Sequence, residues 1–342
     1  MTKKIILCFL ICCLFHNLAF SQAGKGVYQF LDLPVSSRIA AMGGTNVSLK
    51  DNDINFSFCN PSLLTDKTNN FLSLSMANYL SDIQYGSAVF GKNFKNKHYM
   101  AFGVQYVDYG TFQEATEENQ IIGEFTAKDM ALYVMYAYPL TEKISVGGTF
   151  KPIYSAYERY SSFGVAIDAG VSYNDPTSFF SAGLVLRNIG SQIKGYYSDE
   201  EGQHYEPLPF NIQLGVTKKL AYAPLRFTGT FHNLQHWDLS YASSTSSSQD
   251  ETKDIGFFDM ALRHFIFNAE FIPSNNFYLT LGYNFRRAKE MKVEDFKSQA
   301  GLSFGGGIKL YKFHVGFGMS TYQVGNSVYQ FSLGTSLSEF GL

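Results

Sequence analysis

Ser191-Gln192-Ile193-Lys194 places a hydroxyl and an amine at S-x-x-K spacing, the arrangement of an acylating serine and its base. That chemistry also needs partner motifs such as S-D-N and K-T-G, and neither occurs in the chain. His232 and His236 are four residues apart, so on a helix they would share a face and could hold a metal ion. The Glu of H-E-x-x-H is missing, however, and the pair follows LRFTGTF, which reads as a strand. On a strand the two imidazoles would stand ~13 Å apart, too far for one ion. Gly43-Gly44 and Gly305-Gly306-Gly307 are not phosphate loops, because no G-x-x-x-x-G-K-[ST] accompanies them. Within strands such glycines mark bends or close backbone approach, and we read them as barrel curvature. No catalytic residue, cofactor site or metal site is assigned, and no enzymatic activity is expected.

The cysteines point the same way. Lys3 and Lys4 precede an apolar stretch, Ile5 to Phe20, that ends in Ala19-Phe20-Ser21 with small residues where a signal peptidase cuts. Residues 1–21 therefore read as a secretory signal peptide, with the mature chain starting near Gln22. Cys8, Cys12 and Cys13 leave with it, and Cys59 alone remains. An intramolecular disulfide and a thiolate metal cluster are both excluded by that count.

The elements behind these residues have a period of two. In FLSLSMANY (71–79), Leu72, Leu74 and Met76 face one way and Ser73, Ser75 and Ala77 the other. Met100, Phe102, Val104 and Tyr106 likewise oppose Ala101, Gly103 and Gln105. Phe313, Val315, Phe317 and Met319 oppose His314, Gly316, Gly318 and Ser320. One face is bulky and apolar and the other small or polar, as in a barrel with lipid outside. The composition agrees: 32 Phe, 23 Tyr and 30 Gly, with only 16% charged residues and a mean hydropathy of −0.09. A net charge of −2 argues against nucleic acid as a partner.

Fourteen strands are expected, near 71–80, 85–92, 98–107, 129–139, 144–154, 163–173, 178–188, 209–219, 224–233, 257–272, 276–286, 298–310, 313–321 and 327–338. Links after even-numbered strands are short. Those at 108–128, 189–208, 234–256 and 287–297 are long. Short periplasmic turns and long outer loops are the habit of outer-membrane barrels. Residues 22–66 do not alternate. Ser36 to Met42, stopped by Gly43-Gly44, reads as a short helix, and Asn60-Pro61-Ser62-Leu63-Leu64 as a turn opening another. The expected organisation is a signal peptide (1–21), an N-terminal cap or plug (22–66) and an outer-membrane β-barrel (67–342).

The outer loops carry uneven charge. Asp108, Glu114, Glu117, Glu118 and Glu124 gather in the first, Asp199, Glu200, Glu201 and Glu206 in the second, and Asp250, Glu251 and Asp254 in the third. The fourth leans basic through Arg286, Arg287, Lys289, Lys292 and Lys297. Trp237 falls where an interfacial aromatic belongs. ASSTSSSQDET at 242–252 reads as a low-complexity loop tip.

GVYQFLDLPVSSRIAAMGG (26–44), Asn60-Pro61-Ser62-Leu63-Leu64, LPFNIQLGVTKKLAYAPLRF (208–227) and FHNLQHWDL (231–239) together resemble the PorQ family of the type IX secretion system of Bacteroidetes. More distantly, the layout of Arg38, Gly43-Gly44 and Asn60-Pro61 is similar to PorV and the FadL transporter family, with Ser62 where Ala is common. The resemblance implies an all-β, 14-stranded antiparallel FadL-like barrel in the outer membrane of a Gram-negative, Bacteroidetes-type cell, with its loops at the surface. It implies membership of an attachment complex with PorZ-like, PorU-like and PorV-like proteins. There secreted cargo is processed and joined to lipopolysaccharide, and this chain would anchor the PorZ-like partner. It offers no catalytic residues to carry over. The alternative expectation is a FadL-like transporter passing hydrophobic small molecules through a lumen gated by residues 22–66.

Overall fold

Alternating side chains dictate the architecture. In the computed structural model, which describes residues 26–79, 82–94, 97–118, 120–196, 198–199, 202–239, 256–291, 299–323 and 326–341, burial switches on and off with every residue along the strands. A strand with one apolar and one small polar face must bury each against a different medium. Fourteen of them do so by closing into a ring, with each strand hydrogen-bonded to its neighbours in the chain.

These are β1 (Phe71–Asn78), β2 (Gln84–Phe94), β3 (His98–Ala115), β4 (Ile121–Pro139), β5 (Ile144–Tyr157), β6 (Tyr160–Asp175) and β7 (Phe180–Lys194). They continue with β8 (Asn211–Lys219), β9 (Leu225–Phe231), β10 (Phe265–Ser274), β11 (Phe277–Asn284), β12 (Leu302–Leu310), β13 (Phe313–Gln323) and β14 (Asn326–Ser336). All pairs are antiparallel, and β1 closes on β14 in register from Phe71↔Ser336 to Asn78↔Tyr329. Closure removes the unpaired edge that lipid could not satisfy.

The bulky residues face outward. Leu74, Met76, Phe102, Leu132, Ile167 and Leu281 are all about half exposed, an apolar belt that only hydrocarbon would cover. Outward aromatics flank it: Tyr136, Tyr138, Tyr173 and Phe180 near the short turns, and Tyr106, Tyr154, Phe163 and Phe231 at the other end. The chain is a membrane-spanning barrel of the outer-membrane type, with no helix among the described residues long and apolar enough to cross.

Four stretches depart from the sequence expectation, one of them the start of the 189–208 link, which continues β7 as far as Lys194. The region 108–128, expected as a loop, is mostly the far ends of β3 and β4, which pair with each other from Thr111↔Thr126 to Ala115↔Ile121. The expected tenth strand starts at 265 rather than 257. Residues before it form helix α2 (Phe257–Arg263), tied by an Asp259–Arg263 pair four residues apart at 3.4 Å. The expected eleventh ends early because Asn284 caps helix α3 (Phe285–Glu290), its Oδ1 accepting from Arg287 N at 3.0 Å. The signal-peptide reading and the loop tip at 242–252 lie outside the described residues.

Residues 26–70 lie inside the ring and are almost continuously buried. Their Phe30, Leu31, Ile39, Met42, Ile54, Phe56 and Phe58 form one core with lumen-facing Tyr85, Val89, Tyr133, Met135 and Ile153. This segment is called the hatch below.

Candidate functional site

Local chemistry shapes the hatch before the barrel does. Ser36 caps helix α1 (Ser37–Ala41), its Oγ accepting from Ile39 N. Gly43 and Gly44 end it at φ of 94° and 112°, with Gly44 N donating to Ile39 O at 3.0 Å. Asn60 caps the turn at Pro61–Leu63, its Oδ1 accepting from Ser62 N at 3.1 Å and Ser62 Oγ at 2.7 Å. The serine that departs from the Asn-Pro-Ala pattern therefore closes onto the asparagine beside it. Asn60 Nδ2 donates to Val47 O at 2.8 Å and so pins two limbs of the hatch together.

The wall meets the hatch with hydrogen bonds aimed at its backbone. Ser87 Oγ donates to Val35 O (2.6 Å), Gln105 Nε2 to Phe30 O (2.9 Å), Ser172 Oγ to Ser62 O (3.0 Å) and Arg187 Nη2 to Leu31 O (3.0 Å). Asn284 Nδ2 donates to Gly43 O (3.0 Å), Ser320 Oγ to Ala40 O (2.9 Å) and Gln330 Nε2 to Pro34 O (3.1 Å). An irregular segment buried in a lumen has carbonyls that no sheet or water would satisfy. The polar inner face supplies their partners from all round the ring. Glycines make room for the same backbone: a Cβ at Gly183 would stand 1.9 Å from Val47 O and one at Gly318 2.1 Å from Ser37 O. Gly305, read from sequence as curvature, would put its Cβ 2.7 Å from Ala41 Cβ, so close approach is part of its role.

Three buried polar clusters sit on this frame. In the first, Arg38 of α1 reaches Glu270 of β10 through Nε and Nη2 (3.1 Å each), Asp51 (2.8 Å) and Asp53 (3.5 Å). Arg226 of β9 grips the other oxygen of Glu270 at 2.5 Å and Asp51 at 3.5 Å. The Glu270 side chain is fully buried, and Arg38 also lies over the Tyr278 ring at 4.4 Å. In the second, Lys151 pairs with Asp168 at 2.7 Å, both fully buried, and donates to Asn188 Oδ1 at 2.5 Å. In the third, nearer the outer end, Asp129 accepts from the hydroxyls of Tyr109 (2.7 Å), Tyr157 (3.0 Å) and Ser155. Buried charge of this kind is costly unless paired, and each cluster ties together separate elements. The first bonds hatch to wall through charge on both sides, and a looser contact of the same kind joins Arg187 of β7 to Asp32 of the hatch at 4.0 Å.

Apart from Arg38, which belongs to the FadL-like layout, these residues were not singled out by sequence patterns. Their signal was present: Lys151, Asp168, Arg187, Arg226 and Glu270 all occupy small-face positions in strands, where a charge must find a partner in the lumen. Pairing them required the register.

The motifs weighed from sequence fall elsewhere. Ser191 to Lys194 is not in a loop but at the end of β7. There alternate side chains face opposite ways, so Ser191 and Lys194 are on different faces, and Lys194 Nζ donates to Ser161 Oγ at 2.9 Å. His232 is buried behind the end of β9. Burial, assisted by Arg286, pushes its imidazole down to about 4 despite its bond to Asn233. No group of three or more metal-ligating side chains occurs among the described residues. Trp237 stacks on His264 (5.1 Å) and Phe257 (5.2 Å) and is half exposed at the outer rim, while His264 is clamped between the carbonyls of His232 (2.8 Å) and Trp237 (3.0 Å). In the basic fourth loop Arg286 pairs with Glu290 (2.5 Å) and Lys289 with Asp259 (2.6 Å). Lys292 and Lys297, the acidic third-loop residues, and Glu200 and Glu201 lie outside the described residues.

A 14-stranded barrel closed around an N-terminal hatch defines the class of architecture. Solved structures share it. The chain is similar to the CymD monoaromatic hydrocarbon channel (TM-score 0.53, 13% identity, 89% of this chain and 98% of that one). It is similar also to the toluene transporter TodX of P. putida (0.52, 11%, 90% and 99%) and to a FadL homologue of Pseudomonas aeruginosa (0.50, 9%, 92% and 100%). At these identities the likeness establishes the FadL-like fold. Compared by sequence, the chain matches no protein-family model and no curated protein.

Proposed function

We propose that this protein is a hatch-gated outer-membrane barrel that passes small hydrophobic molecules. The observation that carries the reading is the closed ring filled by its own N-terminal segment, in a fold shared almost end to end with proteins described as hydrocarbon channels and a toluene transporter. The lumen of the described structure is occupied, so passage requires the hatch to shift, and the seams between hatch and wall are the gate. The test is uptake into vesicles reconstituted with the full-length mature chain. Labelled toluene should enter faster than into protein-free vesicles, while a sugar of similar size should not. Toluene entry equal to that of empty vesicles would sink the reading.

A second reading has its own observation. The ends of β3 and β4 stand beyond the ring, because β2 pairs with β3 only as far as Asp108 and β5 with β4 only from Ala127. What projects is a two-stranded ribbon with both edges open, marginal in water on its own. It exposes Ile121 and Ile122 at 63% and 61%, a Phe112–Phe125 stack, and the carboxylates of Glu114 and Glu124. Such a ribbon suits docking of a surface partner with an apolar, basic face. In that reading the chain is the attachment-complex component its PorQ-like segments suggest. It would anchor a PorZ-like protein beside PorU-like and PorV-like members at the lipopolysaccharide surface of a Bacteroidetes-type cell. Replacing 111–126 by a tight turn should then abolish co-purification of that partner in mild detergent, with the barrel still folded. Full retention of the partner would count against it.

A further inference from the structure

The short-turn end of the lumen contains a cavity of about 340 Å³, in the size range of small-molecule sites. Its floor is formed by Arg38, Arg226, Asp51 and Asp53 of the first cluster and its rim comes from the turns after β8, β10 and β12. We propose that this cavity binds a small oxyanion of the phosphate or carboxylate kind.

The polar groups left free around the cavity are mostly donors, with Asn55 Oδ1 a buried acceptor that also lacks a partner. The carboxylates are spent: Glu270 is held by both arginines, Asp51 by both arginines and the backbone of Asp53, and Asp53 by Arg38 and Asn55. The donors are not. Arg226 uses Nε and Nη2 on Glu270 and Asp51, and Nη1 makes no hydrogen bond among the described residues. Lys67 and Lys219 line the cavity from two different elements with no carboxylate within 4 Å among the described residues. By contrast Lys309, at the same rim, is already held by Glu339 at 2.9 Å. Ser37, 1% exposed and also lining the cavity, has a buried Oγ without any hydrogen-bond partner. One free guanidinium nitrogen, two free ammonium groups and an unpartnered hydroxyl around one cavity make a donor set, and donors converging on a small volume recognise oxyanions. Phe71, Ile272, Phe277 and Ile308 share the lining, so the free donors mark the polar part of a mixed cavity.

The test uses the purified full-length mature protein in detergent and isothermal titration with inorganic phosphate, then with sodium acetate, each against sodium chloride at matched ionic strength. Saturable binding of either oxyanion at one per chain is expected. Lys67→Ala with Lys219→Ala should weaken it at least about tenfold, the loss of two charge-assisted contacts. Both lysines are exposed, and the heat-dependent gel mobility of the folded barrel checks that the variant is intact. Heat no greater than dilution with both anions would overturn the proposal. So would unchanged affinity in the double variant, or saturable binding of calcium chloride in place of the anions.

Discussion

Gly183→Val combined with Gly318→Val is expected to evict the hatch while leaving the barrel standing. Both glycines face the lumen, and the atoms that a side chain would strike belong to the hatch backbone, Val47 O at 1.9 Å and Ser37 O at 2.1 Å. Backbone cannot swing aside as a side-chain tip can. The wall itself has no objection, because valine is a strand former and glycine a poor one. The contact geometry separates this from ordinary damage. At Gly190 the nearest atom to an added Cβ is Val165 O, 2.0 Å away in the neighbouring strand, so Gly190→Val should impair the barrel instead. Gly256→Ala, with nothing within 4 Å, should change neither. In planar bilayers the double valine variant should raise ion conductance at least about tenfold, since a barrel of this size cleared of its filling encloses water. Protease should then cut within 26–70 in folded protein. A closed, protease-resistant double variant would show that the hatch tolerates displacement without leaving.

The same glycines show what the sequence could and could not reveal. The strands were legible because lipid imposes a strict two-residue period: Phe313 to Ser320 alternates without a break and lies in the sheet as read. The number of strands followed, and so did the ring. The small inner face was legible as small, but its purpose was not. Gly183, Ser320 and Gln330 look like a watery lumen until the hatch is in place, whereupon they are spacers and donors fitted to particular carbonyls. Helices α2 and α3 were missed for a related reason. Phe257 and Phe258 look like strand aromatics, and only the Asp259–Arg263 spacing and the Lys289–Asp259 contact at 2.6 Å mark a helical rim. The β3–β4 ribbon was hidden by its broken alternation, with Ile121 and Ile122 adjacent. Outside the membrane both of its faces meet water, so the alternation that identifies a lipid-facing strand is no longer enforced.

Glu270→Leu should loosen the hatch more than any other single charge removal. The side chain is fully buried, and its two oxygens hold one arginine from the hatch and one from the wall. Removing it leaves two guanidiniums facing each other with Asp51 and Asp53 as the remaining counter-charges. Breaking a buried pair in this way costs about 3–5 kcal/mol, more than the pair contributes over apolar packing, because the stranded charges keep their desolvation cost. The strain falls on the hatch, since Arg226 is fixed in β9 and pairs across to β10 through Arg226↔Glu270 in register. Arg38, on a helix of five residues, is the member free to move. Protease cleavage between 26 and 70 should therefore begin at lower temperature in Glu270→Leu, while the barrel's own melting shifts less. Adding Arg226→Met removes one stranded charge and leaves Arg38 with Asp51 and Asp53, so it should restore most of the protection. Exposed Glu339→Ala, which removes only the surface pair with Lys309, should leave protection unchanged. If Glu270→Leu protects its hatch as the parent does, charge is not what holds it, and the backbone-directed hydrogen bonds from Ser87, Gln105, Ser320 and Gln330 carry the attachment.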